Sequence, residues 1–535
     1  MRVRIEEAFF AQASRTPERW ALADPGGRLR YRELAYQVKR RAEALRRLGA
    51  RRGQVFGLLG ENGIGWLREA LAVLACGGIL MPLHPDLTDG ERQRLFAQVS
   101  PDWLLTVEGK DGEGAHLRRL DGSTSRAGWP GLPEREAEDL FFLGFTSGST
   151  GMPKGLLKTH RSWTASFAGW TESFGLKASD RVLLPLHLSY SAQLYSAFHA
   201  LSMGAEVFLL PRFSPAGFFQ AQATCAVITP ALIQPLVRHA ERRRSEMKRD
   251  ANQNAVFISE EGTGRIATGL SDVVPAAAER EGTDFHGIAV PENGGTQACR
   301  MPPLVISVGT KLTVAQRARF ERHFPGCALF EYYGSSEMGY VSLVRPEDAR
   351  VAPETVGRPF PGVEVAVLDE AGRPLPAGQA GKLYVRTPQA FVGYVGRPEE
   401  TAASFRNGWV TSHDLALIRE DGRILLLGRQ REVIKAGGSM VYVREVEETL
   451  MSCPGVEDAA VVAGQEEERG EVVWAAVVLQ EGVELSSVRA WCRSRLAGFK
   501  QPRRWRVFAE LPRNRHGKVD KLQIREQMAE EDLPG

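Results

Sequence analysis

A loop rich in glycine and hydroxyl side chains follows the apolar run Leu140–Phe145 and reads Thr146-Ser147-Gly148-Ser149-Thr150-Gly151-Met152-Pro153-Lys154-Gly155. Its glycines let backbone N–H groups turn towards an anion, its hydroxyls add donors, and Lys154 adds a mobile positive charge. It is not the Walker motif, because Pro153 precedes the lysine and Gly155 follows it. Taken alone, such a stretch is more often a flexible connection than a phosphate-binding loop. The rest of the chain must therefore decide whether it binds a nucleoside triphosphate.

The composition indicates a globular protein of several domains with a small-molecule partner. The 535 residues are too many for one core, and 43% hydrophobic and 25% charged residues are ordinary values. A net charge of +3 predicts no binding of nucleic acid, and the basic run Arg238–Arg249 lacks stacking aromatics, so we interpret it as a solvated helix face.

Six scattered cysteines and an N-terminus without a signal-peptide pattern predict a reduced, cytoplasmic protein. The apolar segment Trp66–Leu83 carries charges and a Gly-Gly break, which predicts a helix and a strand and no membrane span.

Short apolar strands alternate with amphipathic helices in the first part of the chain, as at Val55–Leu59 and Ile79–Leu83. This alternation predicts an α/β fold of βαβ layered sheets. Between about Val363 and Gly428, hairpin patterns predict a β-rich subdomain. The last hundred residues have the helix and strand patterns of a separate α+β domain.

These changes of pattern predict two domains, residues 1–429 and residues 430–535. The segment 251–302 is weakly periodic and far longer than an ordinary connection, so we expect an atypical insertion there.

A second cluster reads Tyr332-Tyr333-Gly334-Ser335-Ser336-Glu337 and follows a predicted strand, Ala328–Phe330. Ligands of α/β sheets bind at such strand ends. An aromatic ring can cover an adenine, a serine can donate to a phosphate, and a glutamate can hold Mg²⁺. A plain strand-end turn would also account for this cluster.

A third cluster reads Thr411-Ser412-His413-Asp414. Adjacent residues cannot reach one another in the relay geometry of a catalytic triad, so we reject a hydrolase. Asp414 is better interpreted as an acceptor for ribose hydroxyls, with Arg429 across a predicted hairpin as a second ribose or phosphate contact.

Two further segments, Gly428–Gly438 and Pro512–Lys521, complete a series of five. In this order and spacing the five segments resemble the adenylate-forming superfamily, which includes acyl- and aryl-CoA synthetases, adenylation domains of peptide synthetases, and luciferases. The resemblance covers almost the whole chain. It implies a large N-terminal domain, a small mobile C-terminal domain, and two half-reactions: ATP converts a carboxylic acid to an acyl-adenylate, and a thiol then takes the acyl group.

The resemblance also implies a role for individual residues. The implied contacts to ATP are Thr146, Ser147, Gly148, Ser149, Thr150, Gly151, Lys154, Tyr333, Gly334, Ser336, Asp414, Arg429 and Lys435. The implied catalytic groups are Lys518, Glu337 and Thr146, with Glu337 as the Mg²⁺ ligand. Arg431 falls at the hinge between the domains, Gly437 and Gly438 at a channel for the pantetheine arm of CoA, and His187 and Gly309 near the acyl pocket.

The segment Leu186–Ser191 has no aspartate to pair with an ammonium group, so we expect a fatty or aromatic acid and disfavour amino acids. The function that we expect is an ATP-dependent acid–CoA ligase. A standalone enzyme that loads a carrier protein remains an alternative, because its phosphopantetheine thiol would use the same channel. A non-catalytic nucleotide-binding protein and a luciferase-like oxygenase are less favoured.

Overall fold

The computed structural model describes residues 4–108, 114–120, 139–146, 153–260, 300–429, 433–436, 439–466, 470–514 and 518–530. Its helices are α1 Ile5–Arg15, α2 Tyr31–Arg47, α3 Ile64–Ala75, α4 Asp89–Val99, α5 His160–Thr164, α6 Phe167–Phe174, α7 Ser191–Met203, α8 Pro215–Gln220, α9 Ile233–Glu260, α10 Val314–His323, α11 Pro346–Val351, α12 Pro398–Ala403, α13 Val443–Met451, α14 Leu485–Arg493 and α15 Lys521–Glu530. Short 3₁₀ turns cover Pro230–Leu232 and Gly498–Lys500.

The strands follow the same chain order. They are β1 Trp20–Asp24, β2 Gly27–Arg30, β3 Val55–Gly60, β4 Ile79–Leu83, β5 Trp103–Glu108, β6 Gly114–Arg119, β7 Leu140–Thr146, β8 Lys154–Thr159, β9 Arg181–Leu184, β10 Glu206–Leu209, β11 Cys225–Ile228, β12 Leu304–Ser307, β13 Ala328–Ser335, β14 Gly339–Val344, β15 Arg358–Pro359, β16 Glu364–Leu368, β17 Gly381–Arg386, β18 Gly393–Tyr394, β19 Phe405–Arg406, β20 Trp409–Val410, β21 Asp414–Ile418, β22 Ile424–Arg429, β23 Val433–Ala436, β24 Ser439–Tyr442, β25 Val456–Glu466, β26 Gly470–Leu479 and β27 Arg504–Val507.

Two mixed sheets form the large domain. The first has the order β15-β14-β13-β12-β11-β9-β10-β1-β2, and the second has the order β18-β8-β7-β4-β3-β5-β6. The inner strands of the first sheet, from β13 to β1, run parallel, as do β3, β4, β5 and β7 of the second. The prediction of βαβ layered sheets is therefore confirmed.

The main hydrophobic core joins both sheets through α1, α2, α3 and α7. Helix α3 is apolar on most sides and almost wholly buried, as expected for a helix between two layers. Its one buried carboxylate, Glu69, is compensated by Arg41, whose Nε lies 2.8 Å from Oε1, and by Arg68 at 3.1 Å. The predicted helix and strand within Trp66–Leu83 are thus confirmed. Across the described ranges, no helix is long and apolar enough to cross a membrane.

Two smaller β units follow. A sheet of β16, β17 and β19–β22 is the predicted β-rich subdomain, and its hairpin β21–β22 turns at Asp421-Gly422 as expected. Beyond it, β23–β24 and the sheet β25-β26-β27 pack with α13 and α14 around a separate core. A large N-terminal domain and a smaller C-terminal domain are therefore present, while the boundary at residue 429/430 stays a prediction.

Two sequence expectations need correction. The strand expected to end at Phe330 continues to Ser335, because β14 returns beside it and extends the ladder to the pair Ser335 and Gly339. The expected insertion does not begin at residue 251, since residues 251–260 continue α9; residues 261–299 lie outside the described residues. Within α9, Arg238 and Arg242 are exposed, which confirms the solvated helix face.

Candidate active site

Two hairpins bring the predicted nucleotide-binding residues together. Tyr333 and Gly334 lie in β13, and Ser336 and Glu337 lie in the turn that joins it to β14. Gly334 faces the returning strand so closely that a Cβ built on it would lie 2.2 Å from the carbonyl oxygen of Gly339. A glycine is therefore required where this hairpin bends.

The second hairpin, β21–β22, pairs Asp414 directly with Arg429. The Arg429 Nε lies 3.6 Å from Asp414 Oδ1, so the cross-strand pair predicted from the sequence is formed. Asp414 is 8% exposed. A carboxylate this buried needs donors or a counter-charge, and the hairpin supplies the counter-charge of Arg429.

Tyr333 and Ser412 donate hydrogen bonds to the same oxygen of Asp414. The phenol hydroxyl of Tyr333 bonds to Oδ2, and the Ser412 hydroxyl lies 2.5 Å from it. Burial raises the pKa of Tyr333 well above its usual range, and the charge of Asp414 raises it further, so the phenol stays a donor. His413 adopts a left-handed backbone with φ of 64°, and Ser412 bonds to Asp414 directly.

A second network surrounds Glu337, which is 9% exposed. The hydroxyl of Tyr394, in the short strand β18, donates to Glu337 Oε1 at 2.7 Å. The ammonium of Lys154 lies over the ring of the same tyrosine, 5.3 Å from its centroid. Tyr394 thus links the predicted phosphate-loop lysine to the predicted metal ligand, and sequence reasoning missed it.

Lys154 is itself buried at 8% exposure and forms an ion pair with Glu400 at the start of α12. Arg397 also binds Glu400, with 2.6 Å between Nη1 and Oε1. Burial opposes ionisation of Glu400, but the hydrogen bonds from Lys154 and Arg397 lower its pKa below the ordinary value. An anion that binds Lys154 would therefore compete with a charged carboxylate.

A second buried lysine, Lys158, lies four residues further along β8. Its amine donates to the backbone oxygen of Gln389 at 2.6 Å. Burial lowers its pKa to about 7, and the charge of Glu337 acts in the opposite direction. The period-two pattern of β8 places Lys154 and Lys158 on one face, but only the observed packing identifies that face as the one near Glu337.

The predicted phosphate loop is described only at its two ends. Thr146 ends β7 and pairs with Lys154 at the start of β8, so the loop joins adjacent strands. The predicted loop residues Ser147, Gly148, Ser149, Thr150 and Gly151 lie outside the described residues.

His187, assigned to the acyl pocket, is held in one orientation. Its Nε2 lies 2.9 Å from the Gly60 oxygen, and its Nδ1 lies 2.9 Å from the Ser189 hydroxyl. Burial lowers its pKa to about 4, so the imidazole is neutral at pH 7. The buried side chain of Asn62 fixes the same loop by donating to the Leu186 oxygen and accepting from Leu188 N at 3.0 Å.

The other predicted positions are less closely connected. Gly309 follows β12 with a φ of 100°, a conformation that favours glycine. Lys518 is exposed; its backbone N–H donates to the Asn514 side-chain oxygen at 3.1 Å, and its backbone oxygen accepts a hydrogen bond from Asn514 N. Lys435 lies in β23, whereas Arg431, Gly437 and Gly438 lie outside the described residues.

The residues around Glu337 fit a Mg²⁺ ion that arrives with a nucleotide. No cluster of three or more His, Cys, Asp or Glu side chains suited to a metal occurs in the part of the chain that the structure describes. Mg²⁺ is usually held by one or two carboxylates together with substrate phosphates and water. A single buried carboxylate linked through Tyr394 to the predicted phosphate-loop lysine has that chemistry.

Comparison with protein families gives two matches. Residues 9–395 match the model of the AMP-binding enzyme family, and residues 445–518 match the AMP-binding enzyme C-terminal domain. The chain belongs to the AMP-binding enzyme family. It is an enzyme of the adenylate-forming superfamily, so the resemblance drawn from the five segments is confirmed.

Curated relatives of this AMP-binding enzyme include acyl-CoA ligases and synthases. An uncharacterized acyl-CoA ligase, YhfT of Bacillus subtilis, is 27% identical over 98% of both chains. Feruloyl-CoA synthase of an Amycolatopsis species is 28% identical over 96% of this chain and 97% of its own.

Solved structures have the same fold. ATP-bound MatB from Rhodopseudomonas palustris has a TM-score of 0.78 at 23% identity, covering 98% of this chain and 99% of its own. The amide bond synthetase McbA from Marinactinospora thermotolerans has a TM-score of 0.77 at 26% identity, with the same coverage. The predicted architecture of a large α/β domain followed by a smaller domain is confirmed.

Proposed function

We propose that this AMP-binding enzyme is an ATP-dependent acid–CoA ligase that activates a fatty or aryl carboxylic acid. The observation that carries the proposal is the link from Lys154 through Tyr394 to Glu337. Glu337 lies four residues after Tyr333, which bonds to Asp414. One hairpin thus carries groups suited to both ends of a nucleotide. The relatives named as acyl-CoA ligases support the same reaction class.

In the first half-reaction, a carboxylate oxygen of the acid attacks the α-phosphorus of ATP and pyrophosphate leaves. Asp414 and Arg429 are proposed to bind the ribose, and Tyr333 to cover the adenine. Lys154 and the Ser336 hydroxyl are proposed to bind phosphate oxygens, and Glu337 to hold Mg²⁺, which neutralises phosphate charge when bound. Attack on a phosphate by an anion depends mainly on such positioning and charge neutralisation.

In the second half-reaction, the thiol of CoA loses its proton, its sulfur attacks the acyl carbon, and AMP leaves. We propose that the smaller domain changes orientation at Arg431 between the two steps. Lys518 would then serve adenylation, and Gly437 and Gly438 would line the channel for the thiol. The exposure of Lys518 is compatible with a side chain that reaches a site on the other domain.

The acid is proposed to be apolar. The segment Leu186–Ser191 carries no carboxylate; its imidazole, His187, is buried and neutral at pH 7, and burial raises the pKa of its phenol, Tyr190, so neither ring supplies a negative charge. A substrate ammonium bound there would have no compensating charge from this segment.

The reaction is tested by pyrophosphate release from MgATP with a panel of fatty, aryl and amino acids, with and without CoA. We expect release with apolar acids, acyl-CoA formation when CoA is added, and a loss of about a hundredfold or more in release for Lys518→Ala. Lys177→Ala is the matched control, because Lys177 is also an exposed lysine but lies far from Lys518 along the chain. This variant is expected to retain activity.

The other outcomes separate the alternatives. Release without transfer to CoA, followed by transfer to a phosphopantetheinylated carrier protein, would identify the carrier-loading alternative. Amide formation with added amines and no thioester would instead match the activity named for McbA. No release with any acid would contradict the proposal.

A further inference from the structure

Lys158 is a buried lysine that the proposed reaction does not use. It lies in β8 on the same face as Lys154, and it is only 3% exposed. Lysine is rarely buried to this extent unless it is paired. Its ammonium has one hydrogen-bond acceptor among the described residues, the backbone oxygen of Gln389, at 2.6 Å.

The segment that Lys158 holds, Gln389–Tyr394, is also the segment that holds Glu337. The side-chain oxygen of Gln389 accepts a hydrogen bond from Tyr340 N at 2.9 Å, which fixes the start of β14. Phe391 N donates to the backbone oxygen of Glu337 at 2.8 Å. Glu337 is therefore held by this segment at its main chain as well as through the Tyr394 hydroxyl at its carboxylate.

The other described connections between this segment and β8 are apolar packing, backbone hydrogen bonds and the contact of the Lys154 ammonium with the Tyr394 ring. Val392 N donates to the oxygen of Leu157 at 2.9 Å, and Val395 N, just beyond the segment, donates to the oxygen of Gly155 at 2.8 Å. Lys158 adds to them the one bond made by a β8 side chain to the backbone of Gln389–Tyr394 in the described residues.

The hydrogen bond from Lys158 to the Gln389 oxygen requires a buried ammonium group, and burying that charge costs free energy. Burial penalises the charged form strongly enough to lower the pKa of Lys158 to about 7. A methionine of similar length would fill the same space without that penalty. A lysine at this position is therefore better explained by an effect on Glu337 than by stability.

We propose that Lys158 is a positioning residue that acts through the Gln389–Tyr394 segment to hold the Glu337 carboxylate in place for the Mg²⁺ of the nucleotide. The inference rests on the proposed function only in taking Glu337 as the metal ligand. Lys158 does not touch the substrates; it determines how well the carboxylate is oriented before they bind.

The test compares Lys158→Met, Tyr394→Phe and the double variant with wild-type full-length protein. Binding of ATP is measured by calorimetry at increasing Mg²⁺, and kcat and KM for the acid are measured in the pyrophosphate assay. We expect each single variant to raise the Mg²⁺ concentration for half-maximal ATP binding by about tenfold, the usual size of the effect when a group behind a metal ligand is removed. The melting temperature and the KM for the acid are expected to stay near the wild-type values, while kcat falls.

The double variant separates positioning from general loosening of the structure. If Lys158 acts through the segment that carries Tyr394, the double variant is expected to shift the Mg²⁺ dependence by about the same tenfold as either change alone. Independent effects would multiply to about a hundredfold, and that result would overturn the proposal. If the methionine variant does not fold, Lys158→Gln, which keeps a shorter donor, is expected to shift the Mg²⁺ dependence by less than tenfold.

Lys382→Met is the matched control, because Lys382 also lies in a strand but in the β-rich subdomain and partly exposed. It is expected to keep the wild-type Mg²⁺ dependence. If wild type and control make acyl-CoA while Lys158→Met binds ATP with unchanged Mg²⁺ dependence, the inference fails and the proposed function stands. If the wild-type protein makes no product from any acid, it is the proposed function that fails.

Discussion

At the scale of single residues, Asp414 carries the clearest prediction. Its carboxylate accepts bonds from Tyr333 and Ser412 and faces Arg429, which anchors it, and we propose it as an acceptor for ribose hydroxyls. Replacement by asparagine removes the charge but keeps the shape, and we expect ATP affinity to fall by about tenfold, since hydrogen bonds to charged acceptors are the stronger ones. Calorimetry with ATP at saturating Mg²⁺ measures this.

The control lies at the tip of the same hairpin. Asp421→Asn removes a carboxylate whose Oδ2 lies 2.6 Å from Arg423 Nη1, away from the paired ends of the strands. It is expected to leave ATP affinity unchanged. Equal losses in the two variants would mean that Asp414 acts only on the stability of the hairpin.

Glu400 gives a second prediction at this scale. Because its carboxylate pairs with Lys154, Glu400→Gln leaves the lysine with a neutral partner while the ring of Tyr394 still lies beneath it. Phosphates no longer compete with a charge, and we expect ATP to bind about threefold to tenfold more tightly. Weaker binding would instead show that Glu400 orients the lysine for the nucleotide.

At the scale of elements, one glycine joins the first sheet to the β21–β22 hairpin. Gly357 accepts a hydrogen bond from Ile424 N at 2.9 Å and has a φ of 78°. A Cβ there would lie 1.8 Å from the oxygen of Leu343. We expect Gly357→Ala to reduce the free energy of unfolding by about 3 kcal/mol and to weaken ATP binding as well, because the hairpin that carries Asp414 must move.

Gly362→Ala is the matched variant, since Gly362 has a similar φ of 76° but no other atom within 4 Å of the position that a Cβ would take. It is expected to cost about 1 kcal/mol from the backbone conformation alone. Urea titrations of the two variants compare them. If Gly357→Ala and Gly362→Ala lower the free energy of unfolding by similar amounts, the structure around Gly357 accommodates the added Cβ with little loss of stability.

Elements were easier to predict from the sequence than the contacts between them. The periodic runs gave β4 at its observed bounds and the pair Asp414 and Arg429 across a hairpin, because these features are local. The end of β13 was missed because its last residues are ordered by β14, a partner further along the chain. Tyr394 and Glu400 were missed for the same reason: only tertiary packing brings them to residues 154 and 337.

At the scale of the whole molecule, burial of histidines predicts how stability depends on pH. Burial lowers the pKa of His160 and His199 to about 3 and that of His187 to about 4. These groups bind protons near their ordinary pKa of about 6.5 only after unfolding, so each one favours the unfolded state as the pH falls. Glu6 acts in the opposite sense, because burial raises its pKa to about 7 and the folded state holds its proton.

Between pH 5 and 6, unfolding lets the three histidines bind about three protons, while Glu6 releases about one, so the net uptake is about two protons. The free energy of unfolding of the large domain is therefore expected to fall by about 3 kcal/mol when the pH is lowered from 6 to 5. Lys158 adds nothing in this window, because its folded and unfolded forms are both protonated below pH 7. Urea titrations followed by tryptophan fluorescence at pH 6 and pH 5 measure the change.

His199→Gln, which keeps a partner for Thr171, is expected to reduce this slope by about one proton. A slope that is the same in wild type and variant would contradict the assignment of a neutral, buried His199.

The pairing of Asp414 with Arg429 also limits how related sequences can diverge by insertion and deletion. Side chains alternate faces along a strand, so one residue gained or lost between 414 and 418 would turn one partner away from the other and break the contact. Residues 420–422 form the connecting turn beyond the backbone hydrogen bond from Arg419 N to the Arg423 oxygen, and a change in length there is expected to leave the Asp414–Arg429 pair in place. In an alignment of relatives that keep this contact, gaps should therefore gather at the turn and be missing from the strand that precedes it.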